Sequence, residues 1–296
     1  MSEAARETPG AAPGPGGFDY QHRVAAWLAV AAVAASTSPG VQGLWNGTVE
    51  RIACETGESV DDCRVHTSDR RTLAIQAKRS ITLSQARESE LGKTVAQFVQ
   101  QHLMPGHEQD RLVLVTSRDA SKPVRKDLAE VLDRLRDVPA EQGVASLVFN
   151  GDQTDAYNKF IAHAMREWAK QRGGMPSAAE LRTFLACCHV WILDVEQGGL
   201  EEREALRTLR ASVITNPGQA DAAWHVLLSA CAQLAINHSG ADMRQLQQAL
   251  SSAGIALATV RDFTSDVHCL ARTTQDTLDQ LGHGLTTEVP PRCGEG

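Results

Sequence analysis

The sequence predicts a mixed α/β domain followed by an all-helical domain, and three observations lead to this fold class. In LAIQAKRS (residues 73–80), apolar residues alternate with others at the two-residue period of a half-buried strand. RLVLVTS (Arg111–Ser117) is continuously apolar, as is typical of a strand inside a sheet. Beyond QRGGMPS (Gln171–Ser177), a linker by its Gly and Pro content, the strand patterns disappear.

The first half should run helix, three strands, helix, strand, helix, strand, helix, which is a mixed α/β order. It opens with a buried helix over about Asp19–Ala35, whose apolar run is well short of the about 20 residues needed to cross a bilayer. Acidic residues before this run argue against a signal peptide, so we expect no membrane segment. Strands are expected near Thr48–Cys54, Val60–His66, Thr72–Arg79, Arg111–Ser117 and Ser146–Asn150, and the later helices near 91–103, 123–136 and 157–168.

The second half is expected to be entirely helical, with no fixed-period repeat that would indicate a solenoid. The predicted helices cover about 177–194, 199–214, 219–236, 242–258 and 263–282. The resulting organisation is a disordered leader (1–16), an α/β domain (17–172), a helical domain for oligomerisation, regulation or partner binding (177–285), and a flexible tail (286–296).

Composition limits the classes of function. The 296 residues, 42% of them apolar, can bury a full core and suggest two domains. Seven cysteines without a CxxC pair indicate reduced, mostly buried thiols in a cytoplasmic protein. The net charge is −7 and no basic tract is present, so any DNA contact must come from a local groove, from assembly of several copies, or from a partner.

Two acidic residues precede a Gln-x-Lys pair at a spacing that suits metal-dependent chemistry. VDDCRV contains Asp61 and Asp62, and LAIQAKRS contains Gln76 and Lys78. Antiparallel strands joined by a short turn bring the start of the first strand beside the end of the second. A carboxylate and an amide oxygen are hard ligands for Mg²⁺, with Mn²⁺ as a substitute, and a lysine can offset charge on a phosphodiester under attack. The alternative is that Gln76 and Lys78 only solvate a strand face.

This Asp…Gln-x-Lys arrangement resembles the PD-(D/E)xK nuclease superfamily, which has the restriction-endonuclease-like fold. The Gln variant is similar to the Mrr-like branch and to double-stranded DNA nuclease domains of bacterial anti-phage systems. GFDYQHRVAAWL is similar to their opening helix, where Gln21 is the matching site position, and RLVLVTS to the next core strand. The resemblance covers about residues 17–170 and implies a Mg²⁺-dependent endodeoxyribonuclease. It also implies a possible sensor or ATPase partner protein.

The departure from the family pattern is Gln76, which stands where an acid is usual and removes a charge from the metal site. Asp61, Glu55 or Glu50 would then have to contribute. We favour Asp62 as the main ligand because it leads directly into the strand. Asp61 stays open as the alternative, since a one-residue register shift exchanges the faces.

Arg79 is a candidate DNA contact, although a surface arginine after a strand needs no such role. ELGKT (Glu90–Thr94) imitates the end of a phosphate-binding loop, but Arg87 stands where the first glycine is required, so we reject a nucleotide site.

Two main readings follow. The first is a DNA endonuclease that clusters as a homo-oligomer, or with a partner, before it cuts. The second is a non-catalytic assembly or DNA-binding module that keeps the nuclease fold. A third, weaker reading places the main function in the helical domain as a protein-interaction surface.

Overall fold

A six-stranded sheet forms the centre of the protein, in a computed structural model that describes residues 15–35, 47–137 and 147–258. Its strand order is β5-β4-β3-β2-β1-β6. β3, β4 and β5 are parallel, and the other neighbouring pairs are antiparallel. The strands are β1 (Val49–Ala53), β2 (Cys63–Thr67), β3 (Thr72–Lys78), β4 (Arg111–Thr116), β5 (Cys188–Ile192) and β6 (Gly240–Asp242).

Helices cover both faces of this sheet. α1, α6, α7 and α8 pack on one face, and α2, α3, α4 and α5 pack on the other. The helices are α1 (Pro15–Val33), α2 (Glu90–Leu103), α3 (Ala129–Asp137, extended in front by a π-helical segment Pro123–Leu128), α4 (Gly151–Arg172), α5 (Ala178–Cys187), α6 (Leu200–Thr208), α7 (Ala220–Ile236) and α8 (Met243–Ser252).

The alternation in β3 assigns its side chains to the two layers. Leu73, Ile75 and Ala77 belong to the core beneath α1, whereas Ala74 belongs to the core beneath α2. Gln76 is therefore on the α2 side, and it is only 2% exposed. The alternative of a solvated strand face is wrong for Gln76, because the helical layer covers it.

Most elements predicted for the first half are confirmed, namely α1, β1 to β4, α2, α3 and α4. The strand predicted at Ser146–Asn150 is wrong for the part that the structure describes, residues 147–150, which belong to no strand. Asn150 is instead the N-cap of α4. Its side chain accepts a hydrogen bond from the backbone N–H of Gln153, and the Gln153 side chain accepts one from the backbone N–H of Asn150, which completes a capping box.

The prediction of an all-helical second half is also wrong. Cys188–Ile192 is a buried strand that pairs in parallel with β4, and Gly240–Asp242 pairs with β1 at the far edge. Residues on both sides of the Gln171–Ser177 linker thus build one sheet, and the described residues up to Leu257 belong to one compact unit. The division into domains 17–172 and 177–285 fails because the sheet needs strands from both.

Several predictions fall outside the described residues. These are most of the leader (1–16), the helix at 263–282 and the tail (286–296), although Pro15 and Gly16 already belong to α1. Five of the seven cysteines are described, and all five are free and buried, as expected. Within the described ranges, no helix has both the length and the apolar character needed to cross a membrane.

Candidate active site

The pairing of β2 with β3 brings Asp62 and Gln76 together. Cys63 lies opposite Ile75 in this antiparallel pair, so the next pair along the ladder is Asp62 with Gln76. The Asp62 Oδ2 accepts hydrogen bonds from Gln76 Nε2 at 2.5 Å and from the backbone N–H of Ala77 at 2.7 Å. The structure thus places Asp62, the favoured acid, directly against the Gln-x-Lys strand.

Lys78 ends β3 on the same face as Gln76. Its side chain is partly exposed, and its Nζ lies 3.8 Å from Glu90 Oε2, at the start of α2. The Lys78 carbonyl accepts a hydrogen bond from the Thr116 hydroxyl at 2.7 Å, which fixes the end of β3 to β4. The ammonium therefore stands at the rim of the site, with only a long contact to a carboxylate.

Burial and neighbouring acids make Asp62 difficult to ionise. Burial of the carboxyl raises its pKa from 3.8 to about 7, against the opposing effects of the Lys78 charge and the Ala77 N–H. Negative charge on Asp61 and Glu55 adds to the increase. The pKa values of Asp61 and Glu55 are themselves raised, chiefly by burial. The three acids thus form an electrostatically coupled group beside one lysine.

The donor set fits a divalent cation of the Mg²⁺ or Mn²⁺ type. The Gln76 Oε1 is buried and has no hydrogen-bond partner, which is a costly state for an amide oxygen unless something else binds it. Carboxylate and amide oxygens are the ligands that such ions prefer. A cation would also relieve the mutual repulsion of Asp62, Asp61 and Glu55. Across the ranges that the structure describes, no three His, Cys, Asp or Glu side chains are already arranged as a metal site.

Three further candidate residues belong to other elements or have other partners. Gln21 belongs to α1, in the layer on the opposite face of the sheet, and its buried Oε1 has no hydrogen-bond partner. Arg79 is half-exposed, and its guanidinium contacts Glu196 Oε1 at 2.6 Å and Asp119 Oδ2 at 3.4 Å. Any DNA phosphate would have to compete with these acids. Glu50, on β1, is exposed.

His238 is a residue of the site region that the sequence did not indicate. It lies between α7 and β6, and its Nδ1 makes a 2.6 Å hydrogen bond with the carbonyl of Glu55. Glu55 has a φ of 50°, a left-handed conformation that is uncommon for a residue with a side chain. The backbone bond from Cys54 N to Ser239 O, 3.0 Å, supports the same contact. The second half of the chain therefore fixes the backbone of an acid in the cluster.

A second polar cluster lies on the same face of the sheet and is also centred on β2. Arg64 is buried and contacts Glu58, Asp110 Oδ2 at 2.8 Å and His107 Nδ1 at 2.9 Å. Gln101 joins Glu58 and Asp110 through its amide nitrogen. These groups compensate one another's charges, so we interpret the cluster as structural support for β2 rather than as reactive machinery.

Comparison with known proteins finds little that is specific. No protein-family model and no curated protein matches the chain. Among solved structures, it is similar to the Cap4 SAVED/CARF-domain containing receptors of Moraxella osloensis (TM-score 0.46) and Acinetobacter baumannii (TM-score 0.45), each at 13% identity. The Acinetobacter baumannii receptor was solved with the cyclic trinucleotide 3'3'3'-cAAA. The aligned regions cover 81% and 82% of this chain but 47% and 46% of the receptors, so the chain spans less than half their length.

Proposed function

We propose that the protein is a metal-dependent endonuclease that hydrolyses phosphodiester bonds in double-stranded DNA. The observation that carries the proposal is the pairing of buried Asp62 with Gln76 across two strands, with Lys78 two residues further along. In the PD-(D/E)xK superfamily that the sequence resembles, this is the arrangement of the reactive groups. The restriction-endonuclease-like assignment of the fold belongs to the same proposal.

Each residue has a defined role in this proposal. Asp62 and the unpartnered Gln76 Oε1 would hold Mg²⁺ or Mn²⁺, and Asp61 and Glu55 would add negative charge around the ion. The bound ion would polarise the phosphodiester and lower the pKa of a water molecule. The Lys78 ammonium orients that water and offsets the negative charge that develops on the scissile phosphate. Asp62 would release its proton to solvent on binding a cation, because a carboxylate must be deprotonated to act as a ligand.

We further propose that the protein acts in bacterial anti-phage defence, in the cytoplasm, and that its activity depends on assembly. This part rests on the sequence resemblance and on the net charge of −7, which disfavours DNA binding by single copies. The activating assembly is a homo-oligomer or a complex with a sensor or ATPase protein. Size-exclusion chromatography with and without DNA tests it, and full activity of a monomer would contradict it.

A non-catalytic assembly or DNA-binding module is the second candidate. Two observations favour it. The described residues contain no ready-made group of three His, Cys, Asp or Glu ligands, and the amide nitrogen of Gln76 already donates a hydrogen bond to Asp62. On this view, the Asp62–Gln76 pair only ties β2 to β3. Failure to bind Mn²⁺ would support this candidate.

The deciding experiment is plasmid cleavage by the purified protein in Mg²⁺, Mn²⁺ or EDTA. Lys78→Ala should abolish metal-dependent cutting, while Lys126→Ala, an exposed lysine on the segment before α3, should cut like the wild type. Cutting that persists in Lys78→Ala would overturn the assignment of the site. If the wild type does not cut, Mn²⁺ titration by calorimetry decides. If the wild type binds Mn²⁺ and Asp62→Asn does not, the nuclease proposal is retained and a missing activator explains the lack of cutting. If the wild type does not bind Mn²⁺, the assembly module is favoured.

A further inference from the structure

A basic cleft lies between α2 and α4, outside the group of acids described above. Its volume is about 400 Å³, and its wall includes four cationic side chains, Arg87, Lys93, Arg166 and Lys170. All four are exposed to solvent. Pockets for small organic ligands are mostly apolar, but the only apolar side chain in this wall is Ala96. The lining therefore suits a polyanion better than an uncharged ligand.

The acids of the cleft offset part of this charge. Glu167 accepts hydrogen bonds from Gln100 Nε2 at 2.7 Å and from Gln171 Nε2 at 2.6 Å, and its Oε1 lies 3.6 Å from Lys170 Nζ. Although burial acts against it, these bonds hold the pKa of Glu167 below its usual value. Glu88 is largely exposed and makes only a 3.8 Å contact with Arg87. Glu90, 3.2 Å from Lys93 Nζ, is a third acid beside the cleft. Four cations thus face three acids, which leaves a small positive excess in a protein of net charge −7.

The wall is held in place by a buried histidine. His163 Nε2 donates to the carbonyl of Ser84 at 2.8 Å, which leaves Nδ1 to accept from Arg166 Nη1 at 3.3 Å. Gly92 allows the close approach, since a Cβ on it would lie 3.0 Å from His163 Cε1 and 2.4 Å from the Arg87 carbonyl oxygen. The cleft is thus built by packed residues as well as by exposed side chains.

Glu90 connects the cleft to the candidate active site. Its two carboxylate oxygens lie 3.8 Å from Lys78 Nζ and 3.2 Å from Lys93 Nζ. One carboxylate thus bridges a lysine of the site and a lysine of the cleft. A phosphate group of a nucleic-acid backbone has the charge to take this position and to continue along the cleft.

We propose that the cleft between α2 and α4 binds the sugar–phosphate backbone of the nucleic acid beside the bond that Lys78 helps to cleave. The inference rests on the proposed function, because it assigns the cleft to the same substrate. Contacts of this kind position the duplex and carry no sequence information. They make affinity strongly dependent on salt.

The test measures binding without cleavage, using a fluorescent duplex of about 20 base pairs in EDTA across a range of salt concentrations. Arg87→Gln combined with Arg166→Gln should weaken binding about tenfold or more and reduce the slope of log affinity against log salt by about two. The matched control, Arg203→Gln with Arg207→Gln on exposed positions of α6, should leave both unchanged. Glu90→Gln should tighten binding several-fold, because it removes the competing carboxylate.

Lys93→Gln with Lys170→Gln repeats the test if the arginine variant does not fold. Unchanged affinity and slope in the cleft variants, or no binding by the wild type, would overturn the inference. Cleavage in Mg²⁺ is measured separately. If the duplex binds through the cleft but is never cut, the nuclease proposal is contradicted and the proposal of DNA binding by the cleft is supported. If the cleft variants bind and cut like the wild type, the proposal of DNA binding by the cleft is contradicted and the nuclease proposal is supported.

Discussion

Asp62 should make the metal-free protein less stable as the pH rises, and Asp62→Asn should remove this loss. Burial raises the pKa of this carboxyl from 3.8 to about 7, so the folded protein holds the proton more tightly than the unfolded chain does. The stabilisation from the bound proton is complete below about pH 4 and is lost as the pH rises through about 7. The pH dependence of stability therefore has the opposite sign to that of an acid whose pKa is lowered by a salt bridge.

The size of this loss of stability follows from the shift in the pKa of Asp62. Between about pH 5 and pH 7, Asp62 is protonated in the folded state and ionised in the unfolded state, which costs about 1.4 kcal/mol per pH unit. The loss attributable to Asp62 is therefore at most about 3 kcal/mol over this range. Asparagine has nearly the same shape, and its oxygen can accept the bonds from Gln76 Nε2 and Ala77 N that Asp62 Oδ2 accepts.

The assay is urea unfolding in EDTA at several pH values between about 5 and 8. The free energy of unfolding of Asp62→Asn should rise relative to the wild type as the pH increases. Asp221→Asn, an exposed acid at the start of α7, is the control and should parallel the wild type. A difference between Asp62→Asn and the wild type that stays constant across the range would refute the assignment of a buried, proton-holding carboxyl.

Three further changes test the packing around the site. Gly92→Ala should lower stability by about 1–3 kcal/mol in thermal unfolding, because its Cβ would lie 2.4 Å from the Arg87 carbonyl oxygen, and an unchanged melting temperature would contradict this. Arg64→Met should cost about 3–5 kcal/mol in urea unfolding by leaving Asp110 buried without its guanidinium, and a loss below about 1 kcal/mol would show that the network adjusts. Tyr20→Phe should cost about 1–2 kcal/mol, because the hydroxyl donates to a buried carbonyl at 2.9 Å; a neutral result would show that water replaces the bond.

The first half of the fold could be predicted because its signals are local. The alternation in Thr72–Lys78 and the apolar run of Arg111–Thr116 each identify a strand without reference to the rest of the chain. Cys188–Ile192 could not be recognised as a strand in this way. It follows α5 with no intervening Gly or Pro, and an apolar run fits a buried helix as well as a strand. Gly240–Asp242 has only three residues and is a strand because β1 pairs with it, a tertiary effect invisible in its sequence.

The same distinction applies to the site. The pairing of Asp62 with Gln76 followed from a short turn between two strands, whose register the sequence limits to a few choices. His238 was missed because it lies 183 residues from Glu55, and no local pattern joins an exposed loop histidine to a backbone carbonyl so far away. The basic cleft was missed for a similar reason, since its cations come from α2 and the segment before it and from α4, which are far apart in the sequence. The sequence suggested only that any DNA contact must come from a local groove, from assembly of several copies, or from a partner.

The replacement of an acid by Gln76 and the raised pKa of Asp62 belong to one electrostatic balance. Asp62 already experiences burial and the negative charges of Asp61 and Glu55, with one lysine in opposition. A glutamate at position 76 would add a further charge within hydrogen-bonding distance of Asp62 Oδ2 and would raise that pKa again. The neutral amide avoids this repulsion and still offers an oxygen to a cation. Gln76 is therefore compatible with a metal site whose additional negative charge comes from Asp61 and Glu55 rather than from the motif itself.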